Sequence, residues 1–269
     1  MKAVIPAAGM GTRFLPITKG IPKEMLPVGN KPAIQYVVEE ATNSGINDIL
    51  IITGRGKNAI ENYFDSSPEL ETFLKEKNEI KLLSSIKTID EYASLYYIRQ
   101  KNPLGLGHAI LLSQNFIGNE PFVVLLGDDI IFSEMNVTLQ MIQAYSKYQK
   151  MIVAIEHVPV EKVERYGIVN ISNKITDNTF EIDGIVEKPN KYSSPSQYAV
   201  IGRYLFTPTI FTELEKEKKT NGEIQLTPAI DRLLKNERGI ALLIDGKRFD
   251  TGYPEGWLNA NNYIAENTI

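Results

Sequence analysis

The chain contains no cysteine, and its only histidines are His108 and His157 among 269 residues. The missing thiols exclude a disulfide framework and every thiolate metal site; they are compatible with a reducing compartment. Two histidines are too few for a histidine-based zinc centre, and neither sits in a setting that suits a serine-hydrolase triad. No run of about 18 apolar residues occurs, so no membrane-spanning helix is expected. The N-terminus lacks a basic region followed by a long apolar stretch and a small-residue cleavage site, so no secretory signal is expected. Nor is there a large excess of one charge. With 29 basic and 33 acidic side chains the net charge is −4, which argues against a general nucleic-acid binder.

The residues that are present describe a globular chain. Hydrophobic residues make up 43% and charged ones 23%, a balance that fills a sizeable core and excludes intrinsic disorder, collagen and coiled coil. The charge is unevenly spread. Residues 1–31 hold five basic side chains (Lys2, Arg13, Lys19, Lys23, Lys31) against one acidic, Glu24, while the other 238 residues hold 24 basic and 32 acidic. This pattern fits a local anion site or clustering on a solvated face.

Hydrophobic patterning predicts an alternation. Ala3–Ile5 reads as a strand, and Pro16, Pro22, Pro27 and Pro32 make residues 9–32 a long ordered loop rather than a helix. Ile34, Val37, Val38 and Ala41 follow helical spacing after Pro32, with Gly45 as the stop. Residues 49–53, 96–99, 122–126 and 152–155 read as strands. Helices are expected over 57–64, 107–113 and 136–148, with one polar helical excursion over 66–80. The second half predicts strands near 169–171, 180–187, 200–206 and 240–244. It also predicts helices near 208–216, 225–235 and from Glu255, the last packing Trp257. Strand–helix alternation implies a parallel sheet covered by helices, the later elements adding antiparallel strands. No repeat or linker is apparent.

Such sheets bind ligands outside the carboxyl ends of their strands, so the strand-end segments are read together. Ala8-Gly9-Met10-Gly11-Thr12-Arg13 is glycine-rich, yet Phe14 breaks the dinucleotide fingerprint and no P-loop pattern occurs. Small residues let backbone N–H groups approach a base or phosphate, and Arg13 adds a permanent cation. Asp128-Asp129 directly follows an apolar strand, where unpaired carboxylates are costly. The pair suits Mg²⁺, which takes one or two carboxylates plus substrate phosphates; an N-cap by Asp128 is the competing reading. Asp250 in Asp250-Thr251-Gly252 repeats the pattern. This triplet is also the aspartic-protease signature, but a protease leaves the basic loop unexplained. Gly54-Arg55-Gly56-Lys57 suits a phosphate at a helix start or a tight turn. Glu187-Lys188 suits sugar hydroxyls and a phosphate. His108 is expected near the site, without a catalytic role.

Taken together, these segments resemble the sugar-phosphate nucleotidyltransferases, most closely the prokaryotic UTP–glucose-1-phosphate uridylyltransferases (UDP-glucose pyrophosphorylases). The resemblance is carried in order along nearly the whole chain. Its motifs are Ala7–Arg13, Pro22-Lys23-Glu24-Met25-Leu26-Pro27, Thr53–Lys57, Gln100–Ala109, Leu126–Asp129 and Gly222–Thr227. It implies a Rossmann-like three-layer α/β/α sandwich with a mixed, mostly parallel sheet, forming one domain over 1–269. Residues 1–155 would mainly bind nucleotide; 156–269 would mainly bind sugar and supply the C-terminal helix. The implied reaction is UTP + glucose 1-phosphate ⇌ UDP-glucose + pyrophosphate, with Mg²⁺ as cofactor. By resemblance Ala8, Gly9, Gln100 and Gly105 hold the uracil and ribose. Gly11, Thr12 and Glu24 belong to the same nucleotide site, and Arg13 and Lys23 grip the triphosphate. Asp128 and Asp250 bind Mg²⁺. Gly167, Glu187, Val200 and Gly202 hold glucose, and Lys188 meets its phosphate. The family also implies a cytoplasmic homo-oligomer, dimer or tetramer, with no nucleic-acid or membrane partner. Two departures stand out: Gly20 after Lys19, and the stretch Gly252-Tyr253-Pro254, which is less polar than relatives commonly have. The rival expectations are a thymidylyltransferase or a dual UTP/dTTP enzyme, a non-catalytic sugar-nucleotide sensor and, more distantly, a Rossmann oxidoreductase.

Overall fold

The computed structural model describes residues 1–90, 93–220 and 222–267. The apolar start forms β1 (Lys2–Pro6). The proline-rich stretch behind it builds three 3-10 turns, Thr12–Phe14, Ile17–Lys19 and Lys23–Met25, then a short ribbon of β2 (Pro27–Val28) and β3 (Lys31–Pro32). Helix α1 (Ala33–Asn43) starts directly after Pro32 and buries Ile34, Val37, Val38 and Ala41, the residues its spacing picked out. β4 (Asp48–Thr53) and α2 (Asn58–Phe64) follow. The helical excursion expected over 66–80 holds α3 (Pro68–Glu76), and α4 (Ile80–Asp90) follows where no element was expected. Asn78 lies between them at φ 58, a left-handed conformation that ends a helix and that asparagine tolerates.

The alternation then resumes with β5 (Ser94–Arg99), α5 (Leu106–Leu111), α6 (Gln114–Ile117), β6 (Phe122–Leu125), β7 (Asp129–Phe132), α7 (Val137–Tyr148) and β8 (Ile152–His157). The second half contributes β9 (Gly167–Lys174), β10 (Thr179–Glu187), β11 (Tyr198–Phe206), α8 (Thr209–Glu215), α9 (Leu226–Asn236), β12 (Gly239–Leu243), β13 (Lys247–Asp250) and α10 (Pro254–Asn267). The strands expected near 169, 180, 200 and 240 all form. The β7–β13 pairing has no counterpart among the elements expected from the sequence.

Nine strands make one sheet in the order β5-β4-β1-β6-β11-β8-β12-β10-β9. β5, β4, β1 and β6 are mutually parallel, as are β8 and β12; only β11 and β10 run against the rest. The sheet is therefore mixed, with all but two of its strands running in one direction. Alternate residues of each central strand face opposite layers. Ala3, Ile5, Ile49 and Ile51 pack beneath α1, α2 and α7, whereas Val4, Leu50 and Ile52 pack beneath α5, α8 and α9. These are the three α/β/α layers. A smaller apolar cluster of Val28, Ala33, Ile130, Phe249 and Ala260, joined by Trp257, seats α10 against the β7–β13 ribbon. The neighbours of β1 lead away in opposite directions, and this strand-order reversal is where doubly wound sheets leave a crevice at their carboxyl ends.

Candidate active site

The turn Leu126–Asp129 leaves β6 at the mouth of that crevice. Its two aspartates part company. Asp128 forms an ion pair with Lys23, whereas Asp129 accepts a 2.7 Å bond from Arg248 Nε, and Arg248 Nη1 donates to Glu156 at 2.8 Å. Burial opposes the charge on Asp128, but Lys23 and Arg13 outweigh it and hold the carboxyl below its ordinary range. For Lys23 burial pulls downward, and Asp128 and Glu24 together raise the ammonium above its usual value. Each partner stabilises the other's charge. Asp129 is thus spent on Arg248, and the adjacent pair does not act as a unit.

The Asp128 side of the turn is tied to the segment after β13. Thr251 donates to Asp128 O through its backbone N–H and its hydroxyl, both at 2.8 Å. This brings Asp250 beside Asp128. A Cβ added to Gly252 would lie 2.5 Å from Asp128 Oδ2 and 3.0 Å from Asp250 Oδ1, so only glycine leaves the two carboxylates facing one shared space. Burial, followed by repulsion from Asp129, pushes Asp250 up to about 6, against the pull of Arg248. Among the described residues no three Asp, Glu or His side chains converge as a preformed metal cluster. Two carboxylates around a cradle match the hard-cation donor set that keeps remaining positions for water and phosphate.

A cavity of about 780 Å³ opens above this turn, lined by Arg13, Asp128, Gly167, Glu187, Lys188, Val200, Gly202 and Asp250 among others. All eight are site candidates from the sequence. Arg13 Cζ lies 3.8 Å from the centroid of the Tyr253 ring, a cation–π contact that holds the guanidinium against that face. Glu187 accepts a 2.6 Å bond from Thr227 Oγ1, and its other oxygen lies 3.4 Å from Lys188 Nζ. At Gly202 any side chain would collide with the Asp129 carboxylate and Leu126, which leaves the β11 backbone bare beside the cavity.

The other candidates stand beside this wall. Lys23 reaches it through Asp128, and a Cβ on Gly9 would meet Lys23 Cε at 3.6 Å. Gly11 and Thr12 form the turn that carries Arg13, and Ala8 precedes Gly9 in the loop that follows β1. Gly105 immediately precedes Leu106, which lines the cavity, and Gln100 Nε2 donates to Gly105 O at 3.1 Å. Glu24 differs from expectation. It is 1% exposed and ion-paired with Lys57, and burial raises its carboxyl despite Lys57 and Lys23. The glycine-rich turn before α2 therefore delivers Lys57 to a buried carboxylate.

Several supporting residues carry no usable sequence signal. Arg203, 1% exposed, donates to both oxygens of Glu40, to Gly202 O at 3.0 Å, to Asp129 O at 2.8 Å and to Leu126 O at 3.4 Å. An arginine inside an apolar strand reads as an interruption until its acceptors are known. Lys162 and Arg165 add cations to the cavity near Lys188.

The crevice at the strand ends thus gathers cations and carboxylates of the kind that suit phosphorylated ligands. The chain matches the nucleotidyl transferase family over residues 2–267 and belongs to it. It is 49% identical over 265 residues to a UTP–glucose-1-phosphate uridylyltransferase of Bacillus subtilis (strain 168), covering 98% of this chain and 90% of that protein. Among solved structures it resembles an apo UDP-glucose pyrophosphorylase at a TM-score of 0.94 and 47% identity, covering 100% of this chain and 99% of the other. A UDP-glucose pyrophosphorylase complexed with UDP-glucose superposes at a TM-score of 0.89, with 47% identity and 98% of each chain covered.

Proposed function

We propose that the chain joins UTP and glucose 1-phosphate to give UDP-glucose and pyrophosphate. The observation that carries this reading is the convergence of Arg13, Lys23, Asp128, Asp250, Glu187 and Lys188 around one crevice in a fold of this family. A sugar phosphate is already ionised at neutral pH, so the reaction needs no histidine or cysteine base. Its difficulty is bringing two polyanions together, which positioning and charge neutralisation address.

In this reading Lys188 and Glu187 hold the sugar phosphate and the glucose hydroxyls. A phosphate oxygen attacks the α-phosphorus of UTP in line, and the bond to the bridging oxygen of pyrophosphate breaks. Arg13 and Lys23 neutralise the charge that moves onto pyrophosphate. Lys23 exchanges the Asp128 carboxylate for phosphate oxygens as the triphosphate enters. Asp128 and Asp250 would hold Mg²⁺, whose chemistry when bound is to neutralise phosphate oxygens. Ala8, Gly9, Gly11, Thr12, Gln100 and Gly105 form the nucleotide wall, with Glu24 acting from beneath. Residues 1–155 serve mainly the nucleotide and 156–269 mainly the sugar, as one domain. Among the described residues no helix is long and apolar enough to cross a membrane. From the family resemblance, we read the protein as a cytoplasmic homo-oligomer.

The test is pyrophosphate release across a panel of nucleoside triphosphates and sugar 1-phosphates, with and without Mg²⁺. Turnover greatest with UTP, glucose 1-phosphate and Mg²⁺ is expected. Binding of UDP-glucose without pyrophosphate exchange would instead mark a sensor.

A further inference from the structure

Gln100 follows β5 and is 7% exposed. Its backbone N–H donates to Thr53 O at 2.8 Å, which anchors the residue. Its side-chain amide meets two groups, Gly105 O at 3.1 Å and His108 Nδ1 at 2.9 Å, both through Nε2. A carbonyl can only accept, so the amide nitrogen rather than the oxygen must face Gly105. That nitrogen has only hydrogens to offer, so His108 Nδ1 must accept as well. An imidazole accepts at Nδ1 only when it is neutral with its proton on Nε2. The amide oxygen then receives no hydrogen bond among the described residues.

We propose that His108, as the neutral Nε2–H tautomer, is the positioning residue that locks the Gln100 amide with its oxygen toward the nucleotide, so that the site selects a base bearing an N3–H. This rests on the reading above that Gln100 meets the base. Uracil and thymine present N3–H to an acceptor. Cytosine presents a bare N3, which would set one lone pair against another. Without His108 the amide would keep only its bond to Gly105 O, and the fraction of amides that turn over to offer NH₂ instead of the oxygen would weaken that distinction. His108 suits this role because burial, aided by the Lys219 ammonium, holds its imidazole below the ordinary range, so it stays neutral at neutral pH.

Two measurements test the inference. The imidazole ¹⁵N spectrum of histidine-labelled protein contains only His108 and His157, and His108→Asn assigns them by loss of one set. A bare Nδ1 and protonated Nε2 at His108 are expected; a protonated Nδ1 overturns the proposal. In kinetics, His108→Leu should raise KM for UTP and lower the UTP-over-CTP preference by about tenfold each, the scale of one lost orienting bond. kcat and KM for glucose 1-phosphate should stay within about twofold. His108→Asn keeps an acceptor near the Nδ1 position and should restore the preference. A His108→Leu enzyme with wild-type preference overturns the inference, even where Gln100→Ala loses it and the functional reading stands. Wild-type protein that makes no UDP-glucose sinks that reading and the inference together.

Discussion

The floor of the active-site turn and its rim carry the same kinds of charge in opposite circumstances. Beneath the turn, Arg203 is held by Glu40 and three backbone carbonyls, and Arg248 by Asp129 and Glu156. At the rim, Lys23 has one carboxylate partner, Asp128, and Arg13 rests on an aromatic face. A cation with several fixed acceptors cannot leave them without stranding buried groups. One with a single partner at a cavity can trade it for a phosphate. Saturation marks the charges that hold the turn in place, and exchangeability marks those free to act.

Substitutions on either side should separate these roles. Arg203→Ala strands a buried Glu40 carboxylate and should cost about 3–5 kcal/mol of stability, the scale for breaking a buried pair. Urea unfolding measures this; a loss well below that range would mean the floor is softer than its hydrogen bonds suggest. Asp128→Asn should leave the unfolding midpoint nearly unchanged while lowering kcat/KM by about 10³-fold, the upper end for one lost electrostatic group in a site. Wild-type-like, Mg²⁺-dependent turnover would remove Asp128 from the chemistry. Lys23→Ala should lower kcat/KM by about 10²-fold, the lower end of the same range. An unchanged rate would move Lys23 from rim to floor.

The same contrast explains what can be read from the sequence. Exchangeable residues are found in loops at strand ends, where glycine, proline and unpaired charge interrupt apolar patterning. Arg13, Lys23, Asp128, Asp250 and Lys188 stand out in the sequence for that reason, and the structure brings them to or beside one cavity. The floor residues do not stand out, because their meaning depends on partners far away in the chain. Glu40 and Arg203 are 163 positions apart, and Arg248 and Asp129 are 119. Glu24 is assigned to the nucleotide site only by the family resemblance; in the structure its carboxylate is paired with Lys57. The main strands and helices are legible from runs of apolar residues and turn signals. The β7–β13 ribbon is not, since Asp129–Phe132 and Lys247–Asp250 are only four residues each and begin or end in charge.

The sugar side should answer least, because its groups are more exposed and cooperate less. Glu187 has a side chain 37% accessible, and Thr227 Oγ1 donates to Glu187 Oε2 across two separate elements. Thr227→Val removes that donor while nearly preserving shape, so the carboxylate keeps its place but loses one restraint. Water can reach Glu187 and replace part of the bond, which limits the cost to about 1 kcal/mol or fivefold in KM for glucose 1-phosphate. KM for UTP should not change, because the nucleotide wall we propose is built from other segments. A loss shared equally between the two substrates would mean that the two halves of the cavity are coupled through α9, and that the division between a rigid floor and an adaptable rim stops short of the sugar.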